Sequence, residues 1–121
     1  MIPQPPRGAS EAAWQAAILQ LARLHGWLAY HTHDARKSEE GFPDIIAVRG
    51  DRCLAIELKV GKRGVTDAQH TWLNALEDVP GISSHIWRLP GDWNHAVDAL
   101  LPPGWIHRAG EVWMPGSRAA S

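Results

Sequence analysis

Gly41-Phe42-Pro43-Asp44-Ile45-Ile46-Ala47-Val48-Arg49-Gly50-Asp51-Arg52-Cys53-Leu54-Ala55-Ile56-Glu57-Leu58-Lys59 is the stretch that decides the fold. It reads as a β-hairpin. Ile45 to Val48 and Cys53 to Val60 are apolar runs of strand length, and Gly50-Asp51 between them suits a two-residue type II′ turn with Gly at its first central position. Pro43 stands at the strand entrance, where a missing N–H does least harm. With that turn, Arg49 faces Arg52, Val48 faces Cys53, Ile46 faces Ala55 and Asp44 faces Glu57. Alternation along the strands then projects Asp44, Glu57 and Lys59 from one face. Directly opposed Cβ atoms lie roughly 4.5–5.5 Å apart, and like charges at that spacing destabilise a sheet unless something sits between them. Two readings are open from the register alone. Either a hard divalent cation such as Mg²⁺ lies between the carboxylates, or the two acids are simply solvated at the hairpin rim.

On the C-terminal side, residues 61–64 form a short basic loop carrying Lys62 and Arg63. Thr66-Asp67-Ala68-Gln69 is a capping-box pattern. It predicts a helix to about Val79, with Ala68, Trp72, Ala75, Leu76 and Val79 on its buried face. Pro80-Gly81 breaks that helix. Ser83 to Leu89 reads as a strand, and Gly91-Asp92 caps a last helix with Trp93, Ala96, Val97 and Leu100 on one face. Pro102-Pro103-Gly104 marks a boundary, and Trp105 to Met114 is expected to form a second small hairpin around Ala109-Gly110.

On the N-terminal side, residues 34–41 form a polar loop. Its Arg36 and Lys37 either meet phosphate or are solvated charge. Trp27 to His33 reads as a strand. His31 and His33 share one of its faces, but no third ligand is close in sequence, so zinc is a weak reading, and residues lining a cleft or ordinary strand residues are better ones. Ser10 is a good N-cap for a helix from Glu11 to about His25, with Trp14, Ala17, Ile18, Leu21 and Leu24 as its apolar stripe and Gly26 ending it. Glu11 and Gln15, four apart, lie together at the edge of that stripe. There Glu11 either favours the helix dipole as a first-turn acid or reaches a site beside the sheet. Residues 1–9 are a Pro/Gly-rich lead expected to be flexible, residues 10–101 a domain and residues 102–121 a tail. The order helix, three strands, helix, strand, helix is α/β.

Composition narrows the function classes. The chain has 121 residues, 45% hydrophobic and 21% charged, which suits one globular domain. No apolar run approaches the ~18 residues of a membrane span, and no signal peptide is visible at the N-terminus. Cys53 is the single cysteine, so an internal disulfide and a thiolate zinc cluster are both excluded. A cytoplasmic protein is expected. The net charge of −1 lacks the large basic excess of many nucleic-acid binders, so any such footprint is local. Most of the seven tryptophans are expected in the core or at interfaces.

Pro43-Asp44 followed by Glu57-Leu58-Lys59 resembles the PD-(D/E)XK nuclease signature. Gly41-Phe42-Pro43-Asp44, with Glu11 upstream and Gln69 downstream, is similar to the VRR-NUC branch. The likeness is strongest to its small stand-alone phage and bacterial members, which are Holliday-junction-resolvase-like. It runs from about Ser10 to Trp93. It implies an α-β-β-β-α-β core with a central mixed sheet flanked by helices, and a metal-dependent endonuclease that hydrolyses DNA phosphodiesters. It implies Mg²⁺ or Mn²⁺ held by Asp44, Glu57, the Leu58 carbonyl and Glu11, directly or through water. Lys59 would act on the attacking water, and the electrostatic role ranks above general base because two carboxylates beside the ammonium favour its charged form. Gln69 would contact the site or a substrate phosphate, in addition to or instead of capping its helix. Arg36, Lys37, Lys62 and Arg63 would meet phosphates, with Gln15 beside them. The resemblance further implies a homodimer acting on branched DNA such as four-way junctions, in a bacterial or phage-encoded setting. RNA as the substrate is also open. The reading from a different class is a non-catalytic DNA-binding or assembly module. The presence of both acids and the lysine favours the enzyme.

Overall fold

The computed structural model describes residues 2–33, 39–102, 104–106 and 114–115, the last two short segments by their backbone. Its elements, in order, are α1 (Glu11–Leu24), β1 (Leu28–His31), β2 (Ile45–Arg49), β3 (Arg52–Val60), α2 (Asp67–Glu77), β4 (Ile82–Leu89), α3 (Trp93–Leu100), β5 (Trp105–Ile106) and β6 (Met114–Pro115). The main sheet runs β1-β2-β3-β4, antiparallel through β3 and parallel between β3 and β4. This is the expected α/β arrangement, a mixed sheet with helices on both faces.

The hairpin has the register its turn dictates. Arg49 pairs with Arg52, Val48 with Cys53 and Ile46 with Ala55. Gly50 has φ +62°, and among the described residues no non-glycine has a positive φ, so of the two turn residues Gly50 and not Asp51 takes the positive φ, as a type II′ turn requires. Pairing as a strand ends at Ile45 opposite Ile56, and Asp44 is a bend just beyond it.

Alternation sorts the two faces. Ile45, Ala47, Leu54, Ile56, Leu58, Trp87 and Leu89 are buried in one core with Trp14, Ile18 and Leu21 of α1 and Trp93, Val97 and Leu100 of α3. The Trp14 and Trp93 rings meet at 5.9 Å. The other face carries Glu57 and Lys59 of β3, and α2 lies across its β3–β4 half. There the Ser84 hydroxyl donates to the Leu73 carbonyl at 2.7 Å. On the β1–β2 half of that face, Leu28, Tyr30 and Val48 are exposed.

Several expectations need correction. β1 is shorter than Trp27 to His33, because Trp27 belongs to the helix end. Its N–H donates to the Ala22 carbonyl and its indole Nε1 to the Leu100 carbonyl. Leu24 is 55% exposed and is not part of the α1 stripe, whereas Leu19 and Ala22 are buried. On α2, Leu73 is the fully buried residue, and Ala75 and Val79 are exposed. The helix turns Gln69, Leu73 and Glu77 toward the sheet because Gln69 and Glu77 bond groups there. Asp92 precedes α3, but its carboxylate does not cap that helix. It accepts from the Arg88 N–H at 2.7 Å. In the tail, Trp105 pairs with Pro115 and Ile106 with Met114. Residues 107–113, with the expected Ala109-Gly110 turn, lie outside the described residues.

Candidate active site

The site is assembled from the entrance of β2, the middle of β3 and the first turn of α2. Gly41 starts it. Its φ is +84°, and a Cβ placed there would lie 2.4 Å from the Ala68 carbonyl carbon and 2.5 Å from its oxygen. Only glycine lets the loop run this close to α2. Phe42 then packs edge-on against Trp72 of α2, ring centroids 5.1 Å apart. The Pro43 carbonyl accepts from the Thr32 hydroxyl, and the Asp44 carbonyl from the Thr32 N–H. The Asp44 carboxylate is fixed in turn, its Oδ2 accepting from the Leu58 N–H at 2.8 Å.

Glu57 lies beside it, 3% exposed, and Lys59 is 6% exposed. Glu57 Oε2 accepts from Gln69 Nε2 at 2.9 Å and lies 3.7 Å from Lys59 Nζ. Gln69 also completes the capping box. Its Oε1 accepts from the Thr66 N–H at 2.9 Å, and its own N–H donates to the Thr66 hydroxyl. One side chain therefore starts the helix with one end and holds the glutamate with the other.

The electrostatics of the pair are unfavourable without a cation. Burial pushes the Glu57 carboxyl up to about 8. The charges of Asp44 and of Glu11 add to the rise, against the opposing effect of Lys59. Glu57 Oε1 is buried and has no hydrogen-bond partner. A buried, partnerless carboxylate oxygen facing a second carboxylate is a group in need of a cation. The oxygen donors suit Mg²⁺ or Mn²⁺, which bind through one or two carboxylates and keep several waters.

Asp44, Glu57, Lys59 and Gln69 are thus brought together. Glu11 is not drawn into the same cluster. Its carboxylate, partly exposed, pairs with the exposed Arg63 at 3.6 Å, and its charge reaches Glu57 only as a weak effect. Gln15, one turn along α1, is half-buried. Lys62 is exposed in the loop after β3. Arg36 and Lys37 lie outside the described residues. His31 and His33 stack with ring centroids 4.0 Å apart. Among the described residues no group of three or more His, Cys, Asp or Glu side chains is placed to hold a metal ion, so neither the histidine pair nor the Asp44–Glu57 pair gains a third such ligand. Sequence reasoning missed Arg88. It is the register partner of Lys59 across the parallel β3–β4 pair, and its guanidinium donates to the Gly61 carbonyl at 2.8 Å. Its signal was present in the fourth strand, an arginine set between Trp87 and Leu89 near the strand's end.

A solved structure described as a "VRR_NUC domain protein" superposes on this chain with a TM-score of 0.52, at 21% sequence identity, over 66% of this chain and 78% of the other. This is the fold of a VRR-NUC domain. The expected fold therefore stands, and at this identity the likeness speaks for the fold alone. No family model matches the chain. No curated protein matches it either. The described cluster draws on Pro43-Asp44 and on Glu57-Leu58-Lys59 of the hairpin. Among the described residues no helix is long and apolar enough to cross a membrane.

Proposed function

We propose that the protein is a metal-dependent endonuclease that hydrolyses DNA phosphodiester bonds, with a preference for branched DNA such as four-way junctions. The observation that carries the reading is the half-buried Asp44 beside the buried Glu57 with its partnerless Oε1, flanked by Lys59 and Gln69 on one sheet face. Asp44 and Glu57 would hold Mg²⁺ or Mn²⁺, together with the Leu58 carbonyl and with Glu11 through water. When bound, such a cation lowers the pKa of its water and neutralises charge on the phosphate. The chain's own residues do the rest. The Leu58 N–H fixes Asp44, and Gln69 fixes Glu57, so both carboxylates are set before substrate arrives. The Lys59 ammonium orients the attacking water and stabilises charge on the phosphoryl oxygens. Lys62 and Arg63 meet the backbone, which makes binding salt-sensitive. A homodimer would present two such sites to a two-fold substrate.

The test is cleavage of a labelled four-way junction and a matched linear duplex with Mg²⁺, Mn²⁺ or EDTA, wild type beside Lys59→Ala. Metal-dependent cutting of the junction, lost in the variant, is expected. Equal cutting of both substrates would keep the chemistry and discard the junction preference. Binding without cutting under any metal would leave a DNA-binding module in place of the enzyme. A wild-type sedimentation mass of one chain would discard the homodimer.

A further inference from the structure

β3 and β4 are parallel, and their carboxyl ends lie side by side. Open α/β sheets bind ligands in the crevice beyond the carboxyl ends of such strands. A cleft of about 560 Å³ is present there, lined by Lys62, Arg88 and Asp92 and by the turns that carry them. Arg88 pairs in register with Lys59. Its side chain therefore leaves the same sheet face as Lys59, one strand away, a spacing of roughly 4.8 Å. The Gly61 carbonyl accepts one guanidinium N–H and so orients the fork without neutralising it. Lys62 follows Gly61 directly and is exposed. The one acid of the cleft, Asp92, is held by the Arg88 backbone N–H. Two cations against one carboxylate leave the cleft positive.

We propose that Arg88 and Lys62 hold the backbone phosphate next to the scissile one. The inference rests on the nuclease reading of the Asp44–Glu57 site and adds to it how the strand is seated. Neighbouring phosphates of one strand lie one nucleotide apart, and the long side chains of Lys59 and Arg88, which start roughly 4.8 Å apart on adjacent strands, can spread to reach two such groups. An arginine fork suits a phosphate's paired oxygens, and a neighbouring lysine adds a point charge. The substrate is then a continuous strand lying across the carboxyl ends of β3 and β4, not an isolated phosphodiester.

The test measures binding of a labelled four-way junction and a matched duplex against salt concentration, on a Lys59→Ala background that leaves the DNA intact. Arg88→Gln, Arg88→Lys and Lys62→Ala are added singly. Each lost phosphate contact should lower the slope of log affinity against log salt by about 0.9 on duplex DNA. The expected result is that loss for Arg88→Gln and for Lys62→Ala, with the parent slope kept in Arg88→Lys. Unchanged slopes in Arg88→Gln and Lys62→Ala, with the parent binding DNA and wild type cutting it, would overturn the subsite and leave the nuclease reading intact. A fall in Lys62→Ala alone would reduce Arg88 to a structural tie to Gly61 and would also overturn the proposal. If Arg88→Gln does not fold by circular dichroism, Lys62→Ala and Lys62→Glu decide it, and unchanged slopes in both would overturn it. A wild type that neither binds nor cuts DNA would remove both readings together.

Discussion

A Cβ on Gly41 would meet the Ala68 carbonyl group at contact distances that side chains do not reach, in a left-handed backbone conformation. Gly41→Ala should therefore destabilise the protein by at least about 2 kcal/mol, from strain and overpacking together. Urea denaturation would measure it, and an unchanged midpoint would mean that the loop can move off α2. Glu57 makes a prediction of opposite character. Its carboxyl is pushed up to about 8 in the fold from an ordinary 4.5, so the folded chain keeps a proton that the unfolded chain has lost. Stability in EDTA should then fall as pH rises between about 4.5 and about 8. A series of thermal melts in EDTA would show the fall, and Glu57→Gln should flatten it. Melts independent of pH in the wild type would contradict the burial of an uncompensated carboxyl. Added Mg²⁺ should restore stability at the upper end of that range, because it replaces the lost proton.

At the scale of elements, the far end of the hairpin is as firmly tied as the site end. The Arg49 guanidinium donates to the His25 carbonyl at 2.8 Å and to the Leu101 carbonyl at 2.9 Å, with a longer contact to Leu100, and it lies 4.2 Å over the Trp27 ring. One cation thus joins the C-terminal ends of α1 and α3, where helix dipoles favour positive charge. Arg49→Met should cost about 2–3 kcal/mol by urea denaturation. DNA affinity should not change, since the clamp is roughly 16 Å along the strand from Asp44. Loss of affinity with stability retained would place Arg49 in the binding surface instead. The hairpin itself was legible because a two-residue turn and a period of two leave no freedom of register. The orientation of α2 was not. Gln69 and Glu77 look like surface residues, yet they face the sheet and hold Glu57 and the Ser84 N–H. A stripe drawn through apolar residues alone consequently placed Ala75 and Val79 inside, where they are not. Arg88 escaped for a related reason. Its place beside Lys59 follows from a parallel pairing made through a crossover, and no local spacing encodes that.

At the scale of the whole molecule, the sheet is protected at its outer strands. On β4, the Ser84 N–H is taken by the Glu77 carboxylate at 2.8 Å and the Arg88 N–H by the Asp92 carboxylate at 2.7 Å. On β1, the Ala29 carbonyl accepts from Arg23. Edge groups that are already bonded cannot template another strand. Two copies would therefore not join by extending the sheet across β4. Glu77→Ala combined with Asp92→Ala should raise the sedimentation mass above that of the parent. An unchanged mass would show that the two carboxylates do not guard the edge. The Leu58 amide proton, bonded to Asp44 Oδ2 from the strand that lies between β2 and β4, has a further use. It is a spectroscopic reporter set inside the molecule. Its nuclear magnetic resonance shift reads the charge on Asp44, and its exchange with deuterium reads the opening of the central strand. A titration with divalent ion followed at that single proton would register occupancy of the pair without a substrate and without a cut.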